Sequence, residues 1–347
     1  MNSISNLPLI SIIIPNHNGS RYLGNCLKSL KFQTYRRSEI VLVDNNSADE
    51  SVVIARAAAP EAIVLQQNKN LGFAGGVNAG IRSSRGDWIA VLNNDTEAAP
   101  EWLFECVRAI ENHPDASFLA CRILNFADRN RIYSAGDCFL RAGIGYRRGQ
   151  EQQDHQDFRQ ECEIFSASGC AGIYRKEVLD SVEGFDEMFF AYLEDVDLGL
   201  RLQAKGCRGY YVPAAKVYHH GAGTSGGEFS PLAVRLRTRN SMLLLIKSLP
   251  GMIFLRCLPM IMLAQLSWLW RVILHRQLIN YMKGLANTLS LAPAMIKERA
   301  KMHPYWKDSG NQLWRRILQS ESLARKEFTL AQGERVSLFL KWYFRLF

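Results

Sequence analysis

LISIIIPNHNG, residues 9–19, is an apolar, β-branched run that stops abruptly at polar residues. A short unbroken run of this kind has the length of a strand buried on both faces, as the strands of parallel sheets are. The same plan recurs three times. A helical pattern through Phe32 follows the first run. IVLV at 40–43 leads into a helical stretch at 47–59, and AIVL at 62–65 into a Gly-rich turn at 70–76 with a helix ending near Ser84. WIAVL at 88–92 leads into a helix over 100–112. Alternating strands and helices predict an α/β sheet, mostly parallel and covered on both faces. Ligands of such sheets bind beyond the carboxyl ends of the strands. Polar residues collect at those ends: Asn16, His17 and Asn18; Asp44, Asn45 and Asn46; Asn93, Asn94 and Asp95.

The chain has 347 residues, 48% of them hydrophobic, enough for one large domain and an appendage. Its net charge of +9 is unevenly placed: residues 231–347 hold 19 of the 42 lysines and arginines and 5 of the 33 acids. A basic C-terminal third points to an anionic surface. None of the eight cysteines has CxxC spacing, which argues against a zinc ribbon or thioredoxin-like site. The first apolar run lacks the basic flank of a signal and reads as a strand, so a reducing, cytoplasmic setting is expected.

Residues 127–161 are polar and rich in Arg and Gln, and are expected to form a surface excursion with a hairpin near Gly143–Gly145. GFDEMFFAYLEDVDLGLR, residues 184–201, places Glu194, Asp195 and Asp197 at a helix start, where the helix dipole favours acids. Asp197 and Arg201 lie one turn apart and can pair. Glu194 and Asp195 are left for other work beside Phe189, Phe190 and Tyr192. GAGTSGG at 221–227 suits a loop that closes over a ligand.

From residue 232 the character changes. The apolar stretch 241–270 is interrupted by Lys247, Pro250, Arg256 and Pro259, and its longest uncharged piece, 257–270, falls short of a membrane span of about 20 residues. Beyond it Trp and Tyr alternate with Lys and Arg, as in helices lying on an anionic bilayer. A helical interface in a homo-oligomer is the other use of such a face, and no nucleic-acid partner is expected.

Three further groups carry chemistry. The turn Asn70–Asn78, with Gly72, Gly75 and Gly76, follows a strand and opens a helix, as backbone near an anionic ligand does. It is not a GxGxxG fingerprint, which disfavours a nicotinamide enzyme. Asp95 ends a strand and suits Mg2+ or Mn2+, which take one or two carboxylates plus substrate phosphates; taken alone, the motif equally suits an Asx turn capping the helix after Pro100. His219 and His220 precede the glycine loop, and imidazole suits Mn2+ better than Mg2+.

Together SIIIPNHNG (11–19), VDNNSAD (43–49), NLGFAGGVNAG (70–80), LNNDT (92–96), the 184–201 segment and VYHHGAGTS (217–225) resemble, in order, a bacterial family 2 glycosyltransferase of the rhamnosyltransferase-like branch that builds surface polysaccharides. The resemblance covers about residues 10–227. It implies a GT-A fold: a Rossmann-like, mostly parallel sheet flanked by helices, with a nucleotide-binding half at about 1–125 and an acceptor-binding half at about 126–230. Residues 231–347 would form a basic amphipathic helical extension that associates with membrane. Pro15, Asn16, Asn18, Asp44 and Asn46 would contact base and ribose. Asn70, Gly72, Gly75, Gly76, Asn78, Asn93 and Asn94 would sit by the nucleotide sugar. Asp95 and His219 would hold the metal, and Asp195 would be the general base with Glu194 as its fallback. Asn93 stands where the family's DxD motif has its first Asp. The implied reaction is inverting transfer, with dTDP-rhamnose the expected donor and a lipid-linked saccharide the acceptor, at the cytoplasmic face of the inner membrane. A UDP-hexose or UDP-galactofuranose donor, and an inactive scaffold of the same fold, are the alternatives.

Overall fold

The computed structural model describes residues 7–221, 227–330 and 338–347. The four apolar runs are strands β1 (Ile10–Asn16), β2 (Ser38–Asp44), β3 (Ile63–Gln66) and β4 (Trp88–Leu92), and between them lie helices α1 (Ser20–Lys31), α2 (Ser51–Ala58) and α3 (Gly72–Ser83). The strands pair in parallel in the order β3, β2, β1, β4. Alternation along β1 explains its unbroken apolar run. Ile13 packs into one core with Val41, Val43 and Val91, while Ile10, Ile12 and Ile14 pack into another with Leu23, Leu27 and Trp102. Helix α1 turns Leu23, Cys26, Leu27 and Leu30 inward, the spacing of one helical face.

After β4 come β5 (Thr96–Ala98), α4 (Trp102–Asn112), β6 (Ala116–Asn125), β7 (Ile132–Ser134), β8 (Asp137–Leu140), β9 (Ile144–Arg147), β10 (Cys162–Glu163), β11 (Ala171–Arg175), α5 (Lys176–Asp180), α6 (Glu194–Ala204) and β12 (Arg208–His219). Strand β11 lies antiparallel between β4 and β6, and β12 runs parallel to β6, so the sheet is mixed. The fold is therefore α/β, a mostly parallel sheet flanked by helices and followed by a helical region.

The segment 127–161 is not the surface excursion that its polarity suggests. Its hairpin β8–β9 is buried: Cys138, Phe139, Leu140 and Phe158 share a core with Leu313, Ile317 and Tyr343. Two of its arginines pair with the C-terminal helices. Arg141 donates to Glu321 through Nε (2.9 Å) and Nη2 (2.6 Å), and Arg148 pairs with Glu327. Backbone Phe139 N–H donates to Ser320 Oγ at 2.8 Å. Polarity here marks long-range pairing, which local composition does not reveal.

The last third forms α7 (Pro231–Ser248), α8 (Gly251–Leu274), α9 (Leu278–Leu330) and α10 (Leu338–Leu346). Pro250 separates α7 from α8, whereas Pro259 is accommodated inside α8. Helix α7 starts at Ser230, whose Oγ accepts from Ala233 N–H, with Pro231 in the first turn. It packs into the core beneath the sheet, where Leu243 and Leu244 are fully buried. Helix α8 runs for 24 residues with a window of mean hydropathy 1.6, long and apolar enough to cross a bilayer by length and composition. The helix is longer than the uncharged piece read from sequence because it includes Arg256, which stacks over Trp314, and Arg271, which pairs with Glu228.

Candidate active site

A pocket of about 620 Å³ opens at the carboxyl ends of β1 and β4. Its far walls are the loop before α6, the hairpin β8–β9, and helices α7 and α8.

The polar residues at the strand ends form a hydrogen-bonded floor. Asn16 donates to Asp44 Oδ1 (3.3 Å) and Ser47 Oγ (3.2 Å), and its Oδ1 accepts from Asn94 Nδ2 at 2.6 Å. Asn18 and Asn46 occupy left-handed turn positions with φ of 51° and 60°. Asn45 Nδ2 donates to Gly72 O at 2.9 Å, and Gly72 N–H donates to Asn70 Oδ1 at 2.8 Å. Gly72 has φ +73°, and a Cβ there would sit 2.4 Å from Phe190 O, so the turn needs glycine. Pro15, Asn16, Asn70, Gly72, Asn93 and Asn94 line the pocket.

Several expected residues lie elsewhere. Asp44 is buried behind Asn16, Asn18 faces a neighbouring cleft, and Asn46 lies outside both. Gly75 and Gly76 lie inside α3, where a Cβ on Gly76 would meet Asn45 at 2.6 Å. Asn78 ties α3 to the later loop: its Nδ2 donates to Phe185 O (2.7 Å) and Glu187 Oε1 (3.0 Å), and its Oδ1 accepts from Phe185 N–H.

Asp95 and His219 meet on the pocket wall, brought together by the antiparallel pairing of β5 with β12. Asp95 Oδ1 and His219 Nε2 are 3.0 Å apart, the separation of adjacent donor atoms around a cation with octahedral bonds of roughly 2.1 Å. His219 Nδ1 is buried without a partner, so a proton there makes no competing bond. His220 is turned away, stacked on Phe126 at 3.7 Å. Among the described residues no group of three or more His, Cys, Asp or Glu side chains could hold a metal. The pair fits a cation whose remaining ligands are substrate oxygens and water.

Opposite stand Glu194 and Asp195 at the start of α6. Asp195 Oδ2 accepts from Gly169 N–H (2.9 Å) and Oδ1 from Val196 N–H (2.8 Å), which fixes its carboxylate at the pocket wall. Glu194 is buried. Burial first and the Asp195 charge second push its carboxyl well above the usual range. Asp197 faces away from this chemistry. Against the upward push of burial, Lys247, Arg201 and Ser248 hold its carboxyl down to about 2.

The backbone that presents Asp195 is strained: Phe190, Tyr192 and Leu193 have φ of 63°, 68° and 68°. Helix α7 holds it. Arg239 Nη2 donates to Met188 O (3.0 Å) and Phe189 O (2.7 Å). Asn240 Nδ2 donates to Phe189 O (3.0 Å), Ala191 O (2.8 Å) and Tyr192 O (2.6 Å).

Strand β7 and the hairpin add residues that sequence reading missed. Tyr133 lies edge-on to His219, and Arg147 sits 4.4 Å over the Tyr133 ring. Asp137, cross-strand from Arg147, is pushed up to about 7 by burial and then by Asp195. The available signal was the two-residue period in IGYRR: Arg147 faces the pocket and Arg148 the core. The GAGTSGG loop, expected to close over a ligand, lies at 222–226 outside the described residues.

The model of glycosyl transferase family 2 matches residues 11–182. The chain is 30% identical over 217 residues to the uncharacterized glycosyltransferase YwdF of Bacillus subtilis (strain 168), covering 60% of this chain and 73% of that one. It is 28% identical over 248 residues to the N-acetylglucosaminyl-diphospho-decaprenol L-rhamnosyltransferase of Mycobacterium tuberculosis, covering 63% and 78%. A third relative is far longer: the chain is 27% identical over 238 residues to an uncharacterized protein of Sinorhizobium fredii and spans 26% of its length. The mannosyltransferase PcManGT of Pyrobaculum calidifontis, solved in complex with GDP-Man and Mn2+, shares the fold with a TM-score of 0.52 at 16% identity, over 94% of this chain and 88% of that one. With six motifs in order on a GT-A-like sheet, the chain belongs to glycosyltransferase family 2 and is an enzyme of that family.

Proposed function

We propose that the protein is an inverting, metal-dependent glycosyltransferase that moves a sugar from a nucleotide donor to a lipid-linked saccharide in cell-surface polysaccharide synthesis. The nucleotide half is residues 1–125, the acceptor half 126–230 and the membrane-associating extension 231–347. The observation that carries the reading is one pocket with the Asp95–His219 pair on one wall and Asp195 on the other. An L-rhamnosyltransferase among the relatives makes dTDP-rhamnose the first donor to test.

Mg2+ or Mn2+ held by Asp95 and His219 would neutralise the donor diphosphate as charge develops on it. The acceptor hydroxyl attacks C1 of the sugar from the Asp195 side. Asp195 takes the hydroxyl proton, the C1–O bond to the phosphate breaks, and the nucleoside diphosphate leaves with the bonding pair. General-base help of this kind is worth about 10²–10⁴-fold. Asn16, Asn45 and Asn70 shape the floor under the nucleotide.

The extension supports work at the cytoplasmic face of the inner membrane. Met252, Leu255, Met262, Leu266, Trp270 and Leu274 repeat along one exposed side of α8, and Ile279 and Met282 continue it on α9. An exposed stripe this long marks an interaction surface, and its basic surroundings favour anionic lipid.

The experiment is transfer from radiolabelled dTDP-rhamnose, UDP-glucose and UDP-galactofuranose to membrane lipid extract, with Mn2+ or with EDTA. Metal-dependent transfer of rhamnose supports the full proposal. Transfer from a UDP donor alone replaces the donor. Absence of transfer from all three, with no metal-dependent binding of any nucleoside diphosphate, overturns it.

A further inference from the structure

Beside the catalytic pocket lies a second cavity of about 580 Å³, between α7, α8 and the start of α9. Its walls are almost wholly apolar: Met242 and Ile246 from α7, Phe254, Ile261 and Leu269 from α8, and Tyr281 from α9. The two spaces meet at Gln265, which lines both. Gln265 Oε1 is buried with no hydrogen-bond partner, so a polar group is missing at the junction. The catalytic pocket is also lined by Arg237 of α7 and Arg271 of α8, both bonded to the single carboxylate of Glu228 at 2.8 and 3.0 Å. Two guanidiniums sharing one carboxylate leave a net positive charge on the wall that the same two helices give the pocket. The cavity's outer rim is Leu258, Met262 and Leu266, which belong to the exposed stripe of α8.

A ligand suited to this layout has a polar, reactive end in the catalytic pocket, an anionic group at the two arginines and a hydrocarbon chain in the cavity. We propose that the cavity is the binding site for the hydrocarbon tail of a phosphorylated lipid acceptor, entering from the bilayer past Met262 and Leu266. This rests on the reading of the catalytic pocket as a transferase site. It adds that acceptor choice depends on chain length and that α8 is part of the substrate site.

The test is calorimetric titration of the full chain with dimethylallyl, geranyl and farnesyl monophosphate and with inorganic phosphate, without vesicles. Each methylene removed from water is worth about four-fold in affinity. Farnesyl phosphate is expected to bind at least ten-fold tighter than dimethylallyl phosphate, and inorganic phosphate weakest of all. In Leu266→Glu and Met262→Glu, both at exposed positions that tolerate charge, the chain-length preference should fall below about three-fold while Mn2+-dependent nucleoside diphosphate binding is kept. Equal binding of all four probes to the parent protein overturns the proposal, as does a chain-length preference that survives both substitutions. Neither result touches the transferase reading, which fails separately if no nucleoside diphosphate binds with Mn2+.

Discussion

The two walls of the catalytic pocket are built in opposite ways. The wall proposed for the nucleotide is built at the strand ends: each parallel strand ends in its own polar residues, Asn16 bonds Asp44 and Asn94, and Asn45 and Asn70 both bond the backbone of Gly72. The wall proposed for the acceptor is assembled from a distance. The turn that presents Asp195 is held by Arg239 and Asn240, the helix behind it by Lys247 and Ser248, and the hairpin that carries Arg147 by Glu321 and Glu327. The C-terminal third is thus part of the acceptor wall's scaffold as well as its outer surface. Changes in that third should reach the catalytic loop while leaving the nucleotide wall alone.

The largest effect should come from Asp195→Asn. Turnover should drop by about 10²–10⁴-fold with nucleoside diphosphate affinity close to the parent's, and stability should fall modestly because an amide keeps one of the two acceptors that Gly169 N–H and Val196 N–H use, as initial rates, titration calorimetry and thermal unfolding would report. Lys247→Ala comes next. It leaves Asp197, which is fully buried, with one cationic partner fewer, at a cost of about 3 kcal/mol in denaturant unfolding. Asn240→Ala strips Ala191 O and Tyr192 O of their side-chain donor, leaves Phe189 O to Arg239, and should cost about 1–3 kcal/mol. It should also lower kcat more than it weakens nucleoside diphosphate binding. Equal loss on both would mean that the two walls are not separable.

Two carboxylates give a finer comparison through pH. Asp197 is held down to about 2 in the fold, so its stabilisation is present above about pH 4 and fades as pH falls from about 4 to 2. Asp137 is raised to about 7, so the fold holds a proton that the unfolded chain has lost above about pH 4. Its contribution is therefore lost as pH climbs from about 4 to 7. Asp137→Asn should flatten the fall in melting temperature between pH 5 and pH 8. An unchanged slope would assign that fall to another group.

The same contrast explains what could be read from the chain. β1 to β4 follow from apolar runs whose meaning is set within a few residues, and the six motifs placed Asp95, His219 and Asp195 around one pocket. The 127–161 segment misled because Arg141 and Arg148 look like surface charges until Glu321 and Glu327, some 180 positions away, are brought beside them. Arg147 escaped notice although the two-residue period of its strand sets it on the face opposite Arg148. Asn78 and Asp44 sit inside motifs, yet their side chains brace the loops behind the pocket. A motif marks a neighbourhood, and only the packing separates the residues that face the ligand from those that brace them.

The most direct single measurement is calorimetric titration of dTDP and UDP, with and without Mn2+, into the parent protein, Asp95→Asn and Asp195→Asn, with transfer assayed on the same samples. Metal-dependent nucleotide binding should be present in the parent, be lost in Asp95→Asn and persist in Asp195→Asn, with transfer lost in both variants. Metal-independent binding that Asp95→Asn retains, or transfer that survives in Asp195→Asn, would contradict a site with its metal on one wall and its base on the other.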